Sequence, residues 1–250
     1  MSINIDENKV NLSRRKALKY GVGFLGTGSL AIWLGKDALA QNIPNSIEIA
    51  TDTSHHGPTS NLTPDEALKK LLEGNQRFVD EKKLHPDQDL IRVASLAEGQ
   101  APFAAILSCA DSRVVPEIAF DQGLGSLFVV RVAGNISPIE DIASEEYAVG
   151  VLGAPLLMVL GHENCGAVKA TIQGGEYPGV IDSLIYALKP AVEASERIPG
   201  DQVANAIKTN VKLQVNRLLT SSVISNAVKE GKLKVVGAYY ELTTGKVSLI

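Results

Sequence analysis

The order of apolar and polar positions along the chain predicts an α/β protein with a mostly parallel central sheet. Three short runs are apolar at nearly every position, namely 103–107, 127–130 and 156–160. Continuous apolar runs of this length indicate strands that are covered on both faces, as strands in parallel sheets are. A last strand is predicted at 234–240, ahead of a turn at Thr244 and Gly245.

Segments with helical periodicity separate these runs. The first helix is predicted to begin at Pro64, because Thr63 can cap it and Glu66 completes a capping box. Strands that alternate with helices indicate an α/β fold in which helices flank the sheet. We assign residues 63–250 to one such domain, with no internal repeat. The other predicted helices are 90–97, 116–120, 142–152, 167–172, 180–195 and 203–219.

The first forty residues have the features of an export signal. A basic segment with Arg14 and Arg15 precedes an uncharged stretch at 20–35 and a small-residue cleavage site at 38–40. The uncharged stretch is short for a membrane span, and the paired arginines resemble a twin-arginine signal. An uncleaved membrane anchor and a Sec-type signal are the alternatives.

This interpretation divides the chain into a signal peptide at 1–40, a polar spacer at 41–62 and the α/β domain at 63–250. We expect export to the periplasm or another extracytoplasmic compartment, with no permanent membrane span after cleavage. The formal net charge is -4, and 21% of residues are charged. Outside the N-terminus no Lys/Arg cluster suggests a nucleic-acid partner.

The chain has only two cysteines, and each follows an apolar run. Cys109 follows the first run, whereas His162 and Cys165 follow the third and are three residues apart. Ligand sites in parallel α/β sheets lie beyond the carboxyl ends of the strands. Two thiolates and one imidazole suit Zn²⁺ and leave a fourth position for chemistry. The alternatives are two buried structural cysteines with a hydrogen-bonded histidine, and a structural zinc site.

Asp111 and Arg113 decide what the fourth position does. Asp111 is placed to close the metal as a fourth ligand, or to pair with Arg113 and leave the position to water. The sequence leaves both arrangements open. Because two thiolates weaken the acidity of metal-bound water relative to three imidazoles, we expect activity that rises into alkaline pH.

The motif Cys109-x-Asp111-x-Arg113, followed by His162-x-x-Cys165-Gly, closely resembles the β-class carbonic anhydrases. The resemblance covers nearly all of residues 63–248 and has specific motifs. It implies a mostly parallel sheet with an N-terminal helical arm that reaches a partner, in a homodimer or a dimer of dimers. Its further motifs are 73–78, 120–125, 128–131 and 146–148.

The resemblance also implies a carbonate dehydratase, in which zinc-bound hydroxide hydrates CO₂ reversibly to bicarbonate and a proton. Cys109, His162 and Cys165 match the zinc ligands, and Asp111 and Arg113 match the catalytic dyad. The residues that match substrate-binding positions are Gln100, which acts across the subunit interface, Phe128, Tyr147 and the backbone N–H of Gly166.

The same residues are compatible with two other functions. One is hydrolysis of carbonyl sulfide or carbon disulfide on the same scaffold, since the ligand set does not distinguish these substrates from CO₂. The other is a non-catalytic protein that stores zinc or senses bicarbonate, with the metal closed by Asp111. Ala133 stands where a valine is common in the family, which predicts a slightly more open pocket wall.

Overall fold

The computed structural model describes residues 60–250. The twin-arginine segment, the cleavage site at 38–40, and all of the spacer except its last three residues lie outside this range. In the part described, no helix combines the length and the apolar character that a membrane span needs.

The first helix, α1 (Pro64–Val79), begins where the sequence predicts. The Thr63 side chain accepts a hydrogen bond from the backbone N–H of Glu66, and the Glu66 carboxylate accepts one from the backbone N–H of Thr63. This reciprocal pair satisfies two backbone donors that helix geometry leaves free. Ala67 and Leu71 are fully buried against the sheet of their own chain. The predicted arm helix therefore packs on the sheet of its own chain.

The sheet has five strands in the order β2-β1-β3-β4-β5. All neighbouring pairs are parallel except β4 and β5, which are antiparallel. The two strands with continuous burial, β1 and β3, lie next to each other in the interior of the sheet, as their apolar sequences require. The strand bounds are β1 Ala104–Ser108, β2 Leu127–Arg131, β3 Leu156–His162, β4 Lys234–Tyr240 and β5 Val247–Leu249.

Helices cover both faces of the sheet. One face packs against α1 and the short helix after β1, and the other packs against the helices after β2 and near the C-terminus. The predicted α/β class with a mostly parallel sheet is confirmed. The remaining helices are α2 Leu90–Ser95, α3 Pro116–Ala119, α4 Ile139–Gly150, α5 Gly166–Gln173, α6 Asp182–Ser195, α7 Gln202–Leu218 and α8 Ser222–Lys229.

Two elements were absent from the sequence prediction. Helix α8 has only eight residues and begins with a Ser221 cap, and β5 has only three residues. Helix α4 begins at Ile139 instead of residue 142, because Pro138 provides an extended N-cap directly before it. Strand β3 runs two residues further than predicted, so that His162 is its last residue.

Candidate metal centre

The three candidate ligands meet at the carboxyl ends of β1 and β3. These strands are parallel neighbours, with Ser108 paired to Leu160. Cys109 is the first residue after β1, His162 ends β3, and Cys165 directly precedes α5. Their ligand atoms all lie within 4.8 Å of one another. The side chains that the sequence analysis grouped together therefore form one buried cluster.

The chemistry of this cluster fits a zinc ion. Both cysteines are buried and free rather than joined in a disulfide. The His162 Nδ1 lies 2.9 Å from the carbonyl oxygen of Glu163, so Nδ1 carries the proton and Nε2 keeps its lone pair. Among residues 60–250, Nε2 is buried with no hydrogen-bond partner. A buried acceptor without a partner costs free energy, and coordination to a metal ion would satisfy it.

The two sulfurs also influence each other. A hydrogen bond from the Cys165 thiol lowers the pKa of Cys109, and the same bond raises the pKa of Cys165. The backbone N–H of Gly134 donates a further hydrogen bond to the Cys109 Sγ, at 3.3 Å. The site therefore favours a thiolate at Cys109, which is the form of cysteine that binds metals.

Arg113 holds the carboxylate of Asp111 beside the ligands. The Arg113 Nε donates to Oδ1 at 2.9 Å and Nη2 donates to Oδ2 at 2.7 Å, while the Arg113 backbone N–H also reaches Oδ1. These bonds hold the pKa of Asp111 well below its ordinary range. The Asp111 Oδ2 is 3.9 Å from the His162 Nε2. The Asp111–Arg113 pair that the sequence suggested is therefore present in the structure.

Arg131 holds the backbone of the loop that carries Cys109 and Asp111. The sequence alone did not predict this role. Its Nε donates to the carbonyl oxygen of Cys109 at 3.1 Å, and its Nη2 donates to the carbonyl oxygen of Asp111 at 2.8 Å. Arg131 ends β2 and pairs with Ser108 in the neighbouring strand. Its position at the same sheet edge as Cys109 was the signal available in the sequence.

The four candidate substrate residues do not all lie beside these ligands within one chain. Gly166 does, because it begins α5 directly after Cys165, and its N–H belongs to the first helical turn, which has no partner inside the helix. Gln100 precedes β1, whereas Cys109 follows it. At the usual rise per residue, the two ends of this five-residue strand are about 13 Å apart.

The two aromatic candidates lie together, but away from the ligands of their own chain. Phe128 is in register with Ala105, four residues before Cys109, which corresponds to about 13 Å along the strand. The ring of Tyr147 on α4 lies 6.3 Å from that of Phe128, and Tyr147 is half exposed. Within one subunit, the metal cluster and most of the predicted pocket are therefore separate.

Known proteins that are similar in sequence to this chain are carbonic anhydrases. The carbonic anhydrase family model matches residues 104–247. The chain is 43% identical over 194 residues to carbonic anhydrase 2 of Mycobacterium tuberculosis, covering 76% of this chain and 94% of that protein. It is 41% identical to a carbonic anhydrase of Mycolicibacterium smegmatis, with the same coverage.

Solved structures with a similar fold come from the same class. A tetrameric β-carbonic anhydrase of Sordaria macrospora has a TM-score of 0.60 and 26% identity, and the match covers 73% of this chain and 96% of that one. A Coccomyxa β-carbonic anhydrase in complex with acetazolamide has a TM-score of 0.59 and 30% identity, covering 73% and 86%. Matched in sequence over most of the domain and in fold around the same sheet, this chain belongs to the β-class carbonic anhydrase family.

Proposed function

We propose that this protein is a zinc-dependent carbonic anhydrase that catalyses the reversible hydration of CO₂ to bicarbonate and a proton. The observation that carries the proposal is the convergence of two free cysteines and the His162 Nε2 beside a carboxylate that Arg113 holds. Three protein ligands with a fourth position open to solvent are typical of catalytic zinc, whereas structural zinc is normally closed by four protein ligands.

Each residue of the cluster then has a defined task. Cys109, His162 and Cys165 would hold Zn²⁺, which supplies a Lewis acid that makes solvent more acidic and more nucleophilic. Asp111 is ionised and only partly exposed, so it accepts a hydrogen bond from the reacting solvent molecule and orients it toward the substrate. Arg113 keeps Asp111 in that orientation through two side-chain bonds.

Charge favours the arrangement in which the fourth metal position is left to solvent and Asp111 pairs with Arg113. Two thiolates balance the charge of Zn²⁺, so coordination of Asp111 as a fourth ligand would make the centre negative and would occupy the reactive position. It would also require Asp111 to leave a bidentate pair with Arg113, and such pairs are among the stronger charged hydrogen bonds. These costs support Asp111 as a catalytic group.

A second subunit completes the substrate pocket in this proposal. Gln100 precedes β1 and Phe128 lies near the start of β2, whereas the metal cluster of the same chain lies at the other ends of the strands. Tyr147 on α4 lies beside Phe128. A homodimer, or a dimer of dimers, would bring these residues of one protomer to the metal cluster of its partner. The N–H of Gly166 would provide a donor to a substrate oxygen from the metal side.

An exposed apolar surface supports the same assembly. Leu90 and Ile91 on α2 are 84% and 80% exposed, and within residues 60–250 this short helix contributes no buried residue. Apolar side chains on a helix that packs poorly on its own subunit are typical of an interface. We infer that α2, at the end of the arm, packs on the partner.

We also propose that the enzyme is exported. The support is the sequence alone: paired arginines at 14 and 15, a mild apolar stretch and a small-residue site ending at Ala40. Cysteines in exported proteins usually form disulfides. In this proposal both cysteines bind zinc instead. The twin-arginine route transports folded proteins, which would allow zinc to be loaded before transport to the periplasm or another extracytoplasmic compartment.

A comparison of substrates tests the activity. We expect the zinc-loaded protein to hydrate CO₂ with a higher kcat/KM than its hydrolysis of carbonyl sulfide or carbon disulfide, measured on one preparation with known zinc content. A preference for either sulfur compound would replace the proposal with a hydrolase. Inactivity toward all three at full zinc occupancy would replace it with a binding protein.

A further inference from the structure

The backbone N–H that faces the Cys109 sulfur comes from a turn whose conformation requires glycine. Gly134 lies in the turn Ala133–Asn135 between β2 and α4 and has a φ of 78°, a conformation that glycine adopts without steric cost. A side chain at this position would meet the Leu188 Cδ1 at 2.8 Å. Because glycine has no side chain, contacts to the backbone of this turn set the direction of the Gly134 N–H toward the Cys109 Sγ. One contact lies inside the turn, where the Asn135 N–H donates to the carbonyl oxygen of Val132 at 2.9 Å.

Helix α7 provides the other contacts to this backbone segment. The Asn210 Nδ2 donates to the carbonyl oxygen of Gly134 at 2.9 Å, and the Gln214 Nε2 donates to the Asn210 Oδ1, also at 2.9 Å. The Gln214 Oε1 in turn accepts from the backbone N–H and the hydroxyl of Ser137, at 3.0 and 2.7 Å. Asn210 is 1% exposed and Gln214 is 7% exposed. Two side chains one helical turn apart therefore hold both ends of the segment 134–137.

We propose that Asn210 and Gln214 are positioning residues of the metal centre. They aim the Gly134 N–H at the Cys109 sulfur. This hydrogen bond holds the sulfur in position to bind a metal, and it also limits how much charge the sulfur donates. Hydrogen bonds to ligating groups tune metal sites in this way, and their loss typically costs 10–100-fold in metal affinity or activity. The inference shares with the proposed function only the premise that the cluster binds a metal.

The test uses Asn210→Leu in the full-length protein, because leucine preserves volume and removes the donor to Gly134. We expect the affinity for Zn²⁺, measured by competition with a chromophoric chelator, to fall about tenfold or more. In the cobalt-substituted protein, the sulfur-to-cobalt charge-transfer band should move to longer wavelength, because a sulfur without its hydrogen bond gives up electrons more easily. Gln214→Leu should change both measurements in the same direction.

Asn205→Ala is the matched control. Asn205 lies on the same helix and also donates to loop carbonyl oxygens, those of Ile198 and Pro199, but neither of these hydrogen bonds reaches the segment 134–137. This variant should keep the wild-type affinity and the wild-type band. Folded Asn210→Leu and Gln214→Leu proteins with wild-type affinity and an unmoved band would overturn the inference. Because neither measurement needs turnover, an inactive wild-type protein would contradict the proposed function and leave this result valid.

Discussion

The guanidinium of Arg113 holds the carboxylate of Asp111 by two side-chain hydrogen bonds, at 2.9 and 2.7 Å. The Asp111 Oδ2, which accepts one of these bonds, also lies 3.9 Å from the His162 Nε2 of the metal cluster. One residue thus fixes the charge and the orientation of the group that we assign to catalysis.

Asp111→Asn tests that assignment. Asparagine preserves the size of the side chain but loses the charge that pairs with Arg113 and that accepts a hydrogen bond from solvent. We expect the variant to retain one zinc ion per chain and to lose at least about 100-fold in kcat, the usual scale for a positioned proton acceptor. Zinc content and stopped-flow CO₂ hydration should be measured on the same sample. Wild-type turnover would remove Asp111 from the mechanism.

Mixed dimers test whether Gln100 acts on the partner. Gln100→Ala and Asp111→Asn homodimers should each be nearly inactive. In a mixed dimer, the metal cluster of the Gln100→Ala chain receives an intact Gln100 from its partner. Random pairing of equal amounts makes half of all dimers mixed, with one intact site each, so about a quarter of the wild-type activity should return. No recovery in a preparation shown to contain mixed dimers would mean that Gln100 does not act in trans.

The sequence and the structure agree best where a feature has a side-chain signature. The cysteines at the ends of continuous apolar runs predicted the metal cluster, because parallel strands bring their carboxyl ends to one edge. The Gly134 N–H is a backbone group, so the residue type does not show that it donates to a cysteine sulfur. Asn210 and Gln214 lie in an amphipathic helix, where single polar positions normally face solvent. Their burial depends on a turn almost eighty residues earlier, which local patterns do not encode.

Glu145 should make stability depend on pH. It is fully buried on α4, and within residues 60–250 neither of its carboxylate oxygens has a hydrogen-bond partner. Burial raises its pKa from 4.5 to about 8, and nearby Asp141 adds to the shift. Because the folded state binds this proton more tightly than the unfolded state, the contribution to stability is present below about pH 4.5 and is lost as pH rises toward about 8.

Glu145→Gln removes this dependence. The variant should resemble wild type near pH 5 and should be more stable near pH 9, by on the order of a few kcal/mol. Urea unfolding at both pH values measures the difference. Glu140→Gln, which removes one exposed charge from the same helix, is the control and should keep the wild-type profile. Equal stability of Glu145→Gln and wild type near pH 9 would contradict the interpretation.

Replacing Arg14 and Arg15 with lysines tests the export proposal. A twin-arginine signal depends on the paired arginines, whereas a Sec-type signal requires only positive charge before the apolar stretch. We expect the lysine variant to accumulate inside the cell as folded, zinc-containing protein. Cell fractionation with an activity assay of each fraction measures this. Unimpaired export of the lysine variant would point to the general secretory route.

Turnover as a function of bound zinc tests the central claim most directly. The protein should be stripped with a chelator, reloaded in steps, and assayed at each step by stopped-flow CO₂ hydration together with elemental analysis. The account predicts that activity is absent without zinc, rises in proportion to the zinc bound, and levels off at one ion per chain. Hydration at the buffer rate with one zinc ion bound per chain, or full activity without any zinc, would contradict it.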